Sequence, residues 1–415
     1  MPQSACQTLG LMSRTNLYVS LLRLLKETLM QICNALQSEQ SSLWLKGFST
    51  EYFTSKLLPL LRCINNFLKK ASGCLRMRSL LPYGNYSSGA FMFSSIEQSG
   101  NIAVVQTNFS WGDDLPRIIA IVERHFDDFN GNGFYPHPDE EALQRELLAV
   151  PTLRDFAAFM AARKARGLAI TGLGLAGLSE AHRNAVLYAI ALTQGFPTST
   201  DQRTKRVAWD VRARPGSQSK FVTFSERTGN ADMHTDSSFY PMPEEQFLLY
   251  VVASARCNGG ESLLIDVEDI VAELRKTPAG RAAHALLCEA QVPFRVPSVY
   301  AAGDDQIELF YAPVFHADGL AMRWRYDSIE KGLAARPDLA TPELVAALRL
   351  LNEIVEERAP RFVRQLPDDT LLWADNHRTL HGRAMYTDPG RHLIRIRIST
   401  TPNAHRVGPS GISAD

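Results

Sequence analysis

The sequence predicts a mainly β fold of the α+β class, in which a β-barrel or jelly roll carries helices on its outside and follows a helical extension. Three observations support this prediction. Apolar residues recur at helical spacing before residue 110, helices and strands alternate from Asp114, and short strand-like segments separated by turn residues dominate after residue 205. With 415 residues and 45% hydrophobic content, the chain can bury a large core.

The N-terminal part differs in composition from the remainder. It is rich in Ser, Asn and Leu and holds four of the six cysteines, whereas the rest is rich in Ala, Arg, Asp and Pro. Helical spacing occurs in Leu17–Leu36 and Phe53–Phe67. We therefore predict a helical N-terminal extension of unknown role over residues 1–110, a main domain over residues 111–402 and a flexible tail over residues 403–415.

The first part of the main domain is predicted to be largely helical. Ser179 is a potential N-cap for a helix over Glu180–Gln194, which Gly195 and Pro197 would end. The other segments predicted in this part are helices at Leu115–Phe126, Asp139–Val150 and Pro151–Arg166, and a short buried strand at Gly167–Ile170.

Strands are predicted to dominate the second part. Short apolar or alternating segments indicate them at Val207–Val211, Lys220–Phe224, Phe247–Ala253, Ser262–Val267 and Leu393–Ser399. Helical insertions are predicted at Val267–Ala290 and Thr341–Gln365. This order favours a rolled sheet with helices outside it.

Charge and cysteine usage narrow the functional classes. The 44 basic and 44 acidic residues cancel without a long run of one sign, so we expect no nucleic-acid or membrane partner and a small-molecule one instead. The cysteines show no Cys-x-x-Cys spacing, which is typical of reduced thiols in a cytoplasmic protein. No signal peptide or membrane span is predicted, and a homo-oligomer is compatible with the sequence.

Three other motifs have simpler explanations. Gly172–Gly177 matches the dinucleotide fingerprint, but the N-cap Ser179 follows the last glycine and no acidic residue ends a strand at the required distance. Asp128–Asp139 approximates a calcium loop but ends on a short Asp and contains two prolines. His377 and His381 have a zinc-peptidase spacing, yet Arg378 stands where the general base would be. We interpret the first two as turns.

His234, Asp236 and His381 are the most informative residues. Two imidazoles and one carboxylate can hold iron(II) on one face and leave the other positions open. Residues i and i+2 of a strand share a face, so His234 and Asp236 can bind one ion while Thr235 points away. His381 must then come from a distant strand. Such a triple also arises by chance in a chain with ten histidines.

Arginines downstream of His381 suggest an acidic co-substrate. A bidentate 2-oxo acid could supply electrons for oxygen activation, and its far carboxylate needs a buried cation. Arg391 and Arg395 lie on one face of the predicted strand, with Arg397 beyond them. The planar guanidinium group can bind both oxygens of a carboxylate. The alternative is that these are exposed arginines on an edge strand.

Four ordered motifs together resemble the taurine dioxygenase and 2,4-D dioxygenase (TauD/TfdA) family of iron(II)- and 2-oxoglutarate-dependent oxygenases. They are His234–Phe239, Gly259–Ser262, Asp375–Arg383 and Arg391–Arg395, within a resemblance that covers roughly Gly167–Ser399. The resemblance implies a double-stranded β-helix core and metal ligands at His234, Asp236 and His381. It also implies that Ser262 and Arg391 bind 2-oxoglutarate, with Arg395 nearer the end bound to the metal. Met233 and the short segment before Arg391 depart from the family pattern.

The resemblance further implies a reaction. We expect Fe(2+), 2-oxoglutarate and O2 to be used, with ascorbate stimulating, to hydroxylate or desaturate an unactivated C–H bond and release succinate and CO2. Asp236 disfavours halogenation, because it fills the position that a chloride would need. The expected substrate is a small carboxylate, an amino acid or a derivative in specialised metabolite (antibiotic) biosynthesis.

The sequence is also compatible with other functions. A sulfonate or aryloxyacid dioxygenase, a zinc-dependent cupin-like hydrolase and a non-catalytic jelly-roll binding protein are the alternatives. Phe239, Tyr240 and Arg325 are candidate substrate contacts that could equally be packing or surface residues.

Overall fold

The computed structural model describes residues 93–107, 109–126, 134–163, 165–199, 205–213, 224–297 and 307–402. The chain divides into two compact units, Met1–Pro82 and Tyr83–Asp415, and every described residue lies in the second. The predicted helices at Leu17–Leu36 and Phe53–Phe67, and the predicted tail at residues 403–415, fall outside the described residues.

Helices and strands alternate first and strands dominate later. The helices are α1 (Asp114–His125), α2 (Glu140–Leu148), α3 (Pro151–Ala162), α4 (Glu180–Gln194), α5 (Val267–Arg275), α6 (Pro278–Glu289), α7 (Tyr326–Ala335) and α8 (Pro342–Glu353). The strands are β1 (Phe93–Ser99), β2 (Ile102–Thr107), β3 (Gly167–Thr171), β4 (Phe196–Thr198), β5 (Trp209–Arg212), β6 (Ala231–His234), β7 (Gln246–Ala253), β8 (Ser262–Asp266), β9 (Val292–Arg295), β10 (Leu309–Ala312), β11 (Phe362–Arg364), β12 (Thr370–Asp375), β13 (Thr379–Arg383) and β14 (His392–Ser399).

Two sheets carry most of the strands. The major sheet has the order β1-β2-β3-β12-β7-β14-β4, and β5 also pairs with β14. The minor sheet has the order β11-β8-β13-β6, and β9 and β10 form a separate hairpin. Pairing is antiparallel except between β2 and β3. The result is a mixed fold of extensive sheets and helices, as the strand-rich second half of the sequence predicts.

Strand alternation divides the core between the two faces of the major sheet. Ile394, Ile396 and Ile398 of β14 pack with the helical layer, which includes the central helix α4. Leu393 of the same strand packs with Leu264 of β8, on the inner side between the two sheets. The odd-numbered positions of β14 therefore face the interior, in agreement with the predicted arginine face.

The helix boundaries follow local sequence signals. Ser179 accepts a hydrogen bond from the His182 backbone N–H at the start of α4, and Thr341 caps α8 through the Leu344 N–H. The predicted insertion Val267–Ala290 forms two helices, α5 and α6, because Pro278 starts a new one after the Thr277 cap. The insertion predicted at Thr341–Gln365 continues from α8 through a π-helical turn at Ile354–Arg358 and ends in strand β11 instead of helix.

The predicted N-terminal extension requires a correction. Residues 93–107, which the sequence placed in that helical region, form strands β1 and β2. Strand β2 pairs with β3 from Ile102 opposite Gly167 to Gln106 opposite Thr171, so it belongs to the major sheet. Local helical spacing could not show this, because the partner strand lies about sixty residues further along the chain.

The glycine-rich segment after β3 binds an internal carboxylate. Gly172 and Gly174 adopt positive φ angles of 72° and 82°. This conformation lets the backbone N–H groups of Gly174 and Leu175 donate to the carboxylate of Asp369, at 2.7 and 2.9 Å. The anion that the motif holds is therefore a side chain of the same protein. No helix in the described part of the chain is both long and apolar enough to span a membrane.

Candidate metal centre

His234, Asp236 and His381 meet on the minor sheet. His234 ends β6, Asp236 follows two residues later, and His381 in β13 lies directly opposite His234 in the strand register. One potential ligand atom from each residue lies within 4.8 Å of the others, and the two imidazole centroids are 4.3 Å apart. Antiparallel pairing thus brings together the two histidines that the sequence predicted as partners.

Both imidazoles are suited to bind a metal as neutral ligands. His234 Nδ1 lies 2.7 Å from the Asp232 carbonyl oxygen, which can only accept, so Nδ1 carries the proton and Nε2 is left for coordination. Burial lowers the pKa of His234, and burial together with the nearby His234 lowers the pKa of His381 to about 3. Neutral histidine is the form that coordinates metals.

Asp236 is held as an anion with one oxygen to spare. Burial alone would raise its pKa, but Arg395, the two histidines and Arg397 outweigh it, so the pKa of Asp236 lies well below its usual value. Arg395 Nη1 donates to Oδ1 at 3.0 Å. Oδ2 is buried and has no hydrogen-bond partner within the described residues, and the same holds for His381 Nδ1. A cation would satisfy a buried oxygen of this kind.

Asn376 fixes the backbone around Asp236. Its side chain is fully buried; Oδ1 accepts from the Asp236 N–H at 2.8 Å, and Nδ2 donates to the Asp236 and Glu244 carbonyls at 3.1 and 2.7 Å. The motif Asp375–Arg383 contains Asn376, but no role for this residue was predicted from the sequence. A buried amide with three backbone partners determines where the metal ligand can lie.

Thr235 follows the end of β6, and its polar groups bond to Trp324. Its N–H donates to the Trp324 carbonyl and its Oγ1 accepts from the Trp324 N–H, both at 2.9 Å. Trp324 is fully buried. This double contact holds the next residue, Arg325, beside His234.

A second cluster surrounds Arg391, which is 4% exposed. The guanidinium groups of Arg391 and Arg383 lie 5.0 and 4.9 Å from the centre of the Tyr386 ring. Ser262 stands directly opposite Arg383 in the β8–β13 pairing. Arg391 forms no ion pair with a carboxylate in the described part of the chain, and burial, followed by the charge of Arg383, lowers its pKa to about 10. We call these four residues the arginine cluster.

The arginine cluster has the chemistry of a carboxylate site. Two neighbouring buried guanidinium groups are costly unless an anion compensates them. Gly260 makes room for Arg391, since a Cβ there would lie 3.3 Å from the Arg391 Cδ and Nε atoms. Ser262 and Arg391 were predicted from the sequence to bind 2-oxoglutarate. No role was predicted for Arg383, although this residue ends the motif Asp375–Arg383.

The three arginines of β14 and the segment before it have different surroundings. Arg391 lies in the arginine cluster, and Arg395 bonds to Asp236 beside the metal ligands. Arg397 is buried, donates to Ser237 Oγ and lies 3.6 Å from Glu244 Oε2. The alternative that these are exposed edge arginines is wrong, because Arg391 and Arg397 are 4% and 3% exposed.

The three candidate substrate residues separate in space. Phe239 and Tyr240 are buried in a hydrophobic cluster that also contains Ile265 and Trp324. Their ring centroids are 4.9 Å apart. Arg325 instead lines a cavity of about 320 Å³ whose wall also contains His234. Phe239 and Tyr240 are not part of that wall. The substrate roles of all three remain predictions.

Other histidines do not join the metal ligands. His377 Nε2 lies 3.1 Å from the Pro243 carbonyl oxygen, and its own carbonyl accepts from the Met322 N–H. Among the residues that the structure covers, His234, Asp236 and His381 are the one group of three or more potential ligands. His377 and His381 therefore do not form a zinc-peptidase site, despite their spacing in the sequence.

Comparisons with known proteins place this geometry in context. The sequence profile described as the taurine catabolism dioxygenase TauD, TfdA family matches residues 147–397. No curated protein matches the chain.

Solved structures share the fold at low identity. Asparagine oxygenase in complex with Fe(II), 2S,3S-3-hydroxyasparagine and succinate has a TM-score of 0.53 and 17% identity, with 72% of this chain and 93% of that chain covered. Non-heme iron oxygenase OrfP with Fe and alpha-ketoglutaric acid has a TM-score of 0.50 and 13% identity, over 70% and 93% of the two chains. OrfP with Fe, succinate and (3R,4R)-dihydroxy-L-Arg also has a TM-score of 0.50 and 13% identity, over 72% and 94%.

Proposed function

Because this chain belongs to the taurine catabolism dioxygenase TauD, TfdA family, we propose that it is an iron(II)- and 2-oxoglutarate-dependent dioxygenase. We propose that it hydroxylates or desaturates an unactivated C–H bond of an amino acid or a derivative in specialised metabolism. The observation that carries the proposal is the buried group of His234, Asp236 and His381, whose ligand atoms lie within 4.8 Å of one another.

The three residues fit iron(II). Two neutral imidazoles and one carboxylate match the facial set that leaves open positions on the metal. Asp236 Oδ2 is buried without a hydrogen-bond partner among the described residues, while Arg395 occupies Oδ1. Arg395 would therefore keep Asp236 deprotonated and leave only Oδ2 free to bind the metal, so Asp236 would contribute a single ligand atom.

The arginine cluster fits the far carboxylate of 2-oxoglutarate. Arg391 would bind that carboxylate and Ser262 would add a hydroxyl, as expected from the sequence, while Arg383, which also lies over the Tyr386 ring, would add positive charge. Arg395 lies nearer the metal ligands and is assigned to the metal-bound end. When bound, iron with 2-oxoglutarate and O2 supplies the oxidising chemistry and releases succinate and CO2; ascorbate would keep the iron reduced.

The fold supports the same proposal. The major and minor sheets pack their inner faces together through residues such as Leu264 and Leu393, which is consistent with a double-stranded β-helix core. We also propose that the oxygenase domain includes β1 and β2, since β1 pairs with β2 and β2 pairs with β3. The asparagine oxygenase complex with hydroxyasparagine and the OrfP complex with dihydroxyarginine support an amino-acid substrate.

Succinate release tests the reaction. We expect the full chain, supplied with Fe(II), ascorbate, 2-oxoglutarate and air, to form succinate when a panel of amino acids is added, and the Asp236→Ala variant to form none. In the absence of air, adding 2-oxoglutarate to the Fe(II)-loaded protein should produce a charge-transfer absorption. If wild type forms no more succinate than Asp236→Ala across the panel, the proposed function is wrong.

Arg391 separates this proposal from a zinc-dependent hydrolase. Replacing it with Ala should raise the KM for 2-oxoglutarate on the order of 100-fold, the effect of removing one partner of a buried charge pair. Arg336, an exposed arginine paired with Asp338, gives the matched control Arg336→Ala, which should leave the KM unchanged. Unchanged activity of Arg391→Ala would favour a hydrolase that needs no 2-oxoglutarate.

A further inference from the structure

The cavity beside the metal ligands has a distinctive wall. It encloses about 320 Å³, within the range of small-molecule sites, and His234 forms part of its lining. Asp236, next to His234 in the metal group, keeps a buried Oδ2 without a partner among the described residues. The cavity therefore adjoins a site that is built to take a ligand.

Two helices and one strand build the wall. Tyr326, Asp327 and Glu330 come from successive turns of α7, which starts directly after Arg325. Asn352 and Glu356, four residues apart, come from the end of α8 and the π-helical turn. Thr235 holds Trp324 through two hydrogen bonds of 2.9 Å, so α7 begins at a fixed position relative to the metal ligands.

The cavity wall carries more acidic than basic residues. Its acidic residues are Asp232, Asp327, Glu330 and Glu356, and its basic residue is Arg325. Asp327 is compensated by Arg325 at 3.1 Å and by Lys331 at 2.9 Å. Glu356 lies 3.2 Å from Arg361. Glu330 has no hydrogen bond or ion pair in the described part of the protein, so the wall keeps an excess of negative charge.

We propose that this cavity selects an amino acid whose side chain carries a positive charge, with Glu330 as the specificity-determining residue. This inference rests on the proposed function, because it assigns the substrate class of the same site. The α-carboxylate of the substrate would lie toward Arg325 beside His234. The side-chain ammonium or guanidinium group would lie toward Glu330 and Glu356.

This assignment follows from electrostatic complementarity. A neutral or acidic side chain would leave Glu330 uncompensated or face it with a like charge, whereas a cation gains an ion pair with an exposed carboxylate of the cavity wall. One guanidinium and several carboxylates in a single wall match a molecule with one anionic and more than one cationic group.

Calorimetric titration of the full chain, loaded anaerobically with Fe(II) and 2-oxoglutarate, tests the inference. L-Arginine is compared with the neutral isostere L-citrulline, and L-lysine with L-norleucine. We expect each cationic ligand to bind about three- to tenfold more tightly than its neutral counterpart, as ion pairs with exposed carboxylates allow. The variant Glu330→Gln should reduce that ratio toward one, and Glu356→Gln should reduce it in part.

Glu357→Gln is the matched control, since Glu357 is exposed like Glu330 and Glu356 but is not part of the cavity wall. It should retain the wild-type ratio. Equal binding of the cationic and neutral ligands, or an unchanged ratio in Glu330→Gln, would overturn the inference. The charge-transfer absorption recorded before each titration tests the proposed function separately: when that absorption forms and the charge preference is absent, only the substrate assignment fails.

Discussion

At the scale of single residues, Asn376 links the metal ligand Asp236 to the rest of the fold. It lies in the turn between β12 and β13, only five residues before His381, and its amide holds the backbone on both sides of Asp236. The same side chain also bonds to the Glu244 carbonyl at 2.7 Å. One buried residue therefore couples the positions of two ligands that are far apart in sequence.

Replacing Asn376 with Ala should weaken metal binding. The Asp236 N–H and carbonyl would lose their partner, and the carboxylate would be free to move, so we expect Fe(II) affinity to fall about 10- to 100-fold. Anaerobic titration of Fe(II) measures this. The control Asn184→Ala removes another buried Asn, in α4, and should leave the affinity unchanged. Equal losses in both variants would indicate a general packing effect and contradict the prediction.

At the scale of elements, the loop after β3 depends on Asp369. Its carboxylate accepts from the Gly174 and Leu175 N–H groups and from Tyr250 Oη at 2.8 Å, while its carbonyl accepts from Gly172 and Leu173. The loop thereby joins β3 to the turn before β12. Gly172 admits no side chain, because a Cβ would lie 2.6 Å from the Thr107 carbonyl oxygen.

Asp369→Ala should lower the free energy of unfolding by about 2–4 kcal/mol, since it removes three hydrogen bonds to a charged acceptor. Urea unfolding measures the change. Asp338→Ala removes an exposed carboxylate that pairs with Arg336 on the surface, and it should cost less than about 1 kcal/mol. A similar loss in the two variants would show that the loop does not depend on Asp369.

At the scale of the whole molecule, Asp266 ties the two sheets together. It ends β8 of the minor sheet, is 2% exposed and accepts from Arg166 Nη1 at 3.0 Å and from Asn101 Nδ2 at 2.6 Å. Arg166 immediately precedes β3 of the major sheet, and its carbonyl accepts from Thr379 Oγ1 in β13. The sheets that carry the metal ligands and the arginines are thus joined by a nearly buried ion pair.

Arg166→Met should destabilise the protein by about 3 kcal/mol, because it leaves the Asp266 carboxylate buried and without its ion-pair partner. The double variant Arg166→Met with Asp266→Asn should recover part of the loss, since the uncompensated charge is then gone. Thermal or urea unfolding of Arg166→Met, Asp266→Asn and the double variant measures both effects. Additive losses in the double variant would show that the two residues do not interact.

Local signals in the sequence were sufficient for most of the helices, although α7 was not predicted. Caps such as Ser179 and Thr341, and helix-starting prolines such as Pro278, mark boundaries that depend on neighbouring residues only. Strands β1 and β2 were missed, because a strand is stabilised by a partner that can lie anywhere in the chain. The same reason explains why Thr341–Gln365 was predicted as one helix although its end pairs with β8 as a strand.

For the site, the sequence by itself determined the candidate ligands and the arginine face, because the two-residue period of a strand is a local property. The strand period pointed to His234 with Asp236 and to Arg391 with Arg395, although β6 ends at His234 and β14 begins after Arg391. The tertiary structure alone decided that His381 lies opposite His234, that Arg395 contacts Asp236 and that Arg391 lies instead with Arg383 and Tyr386. These contacts join residues that are distant in the chain, so their geometry exists only once the two sheets have packed together.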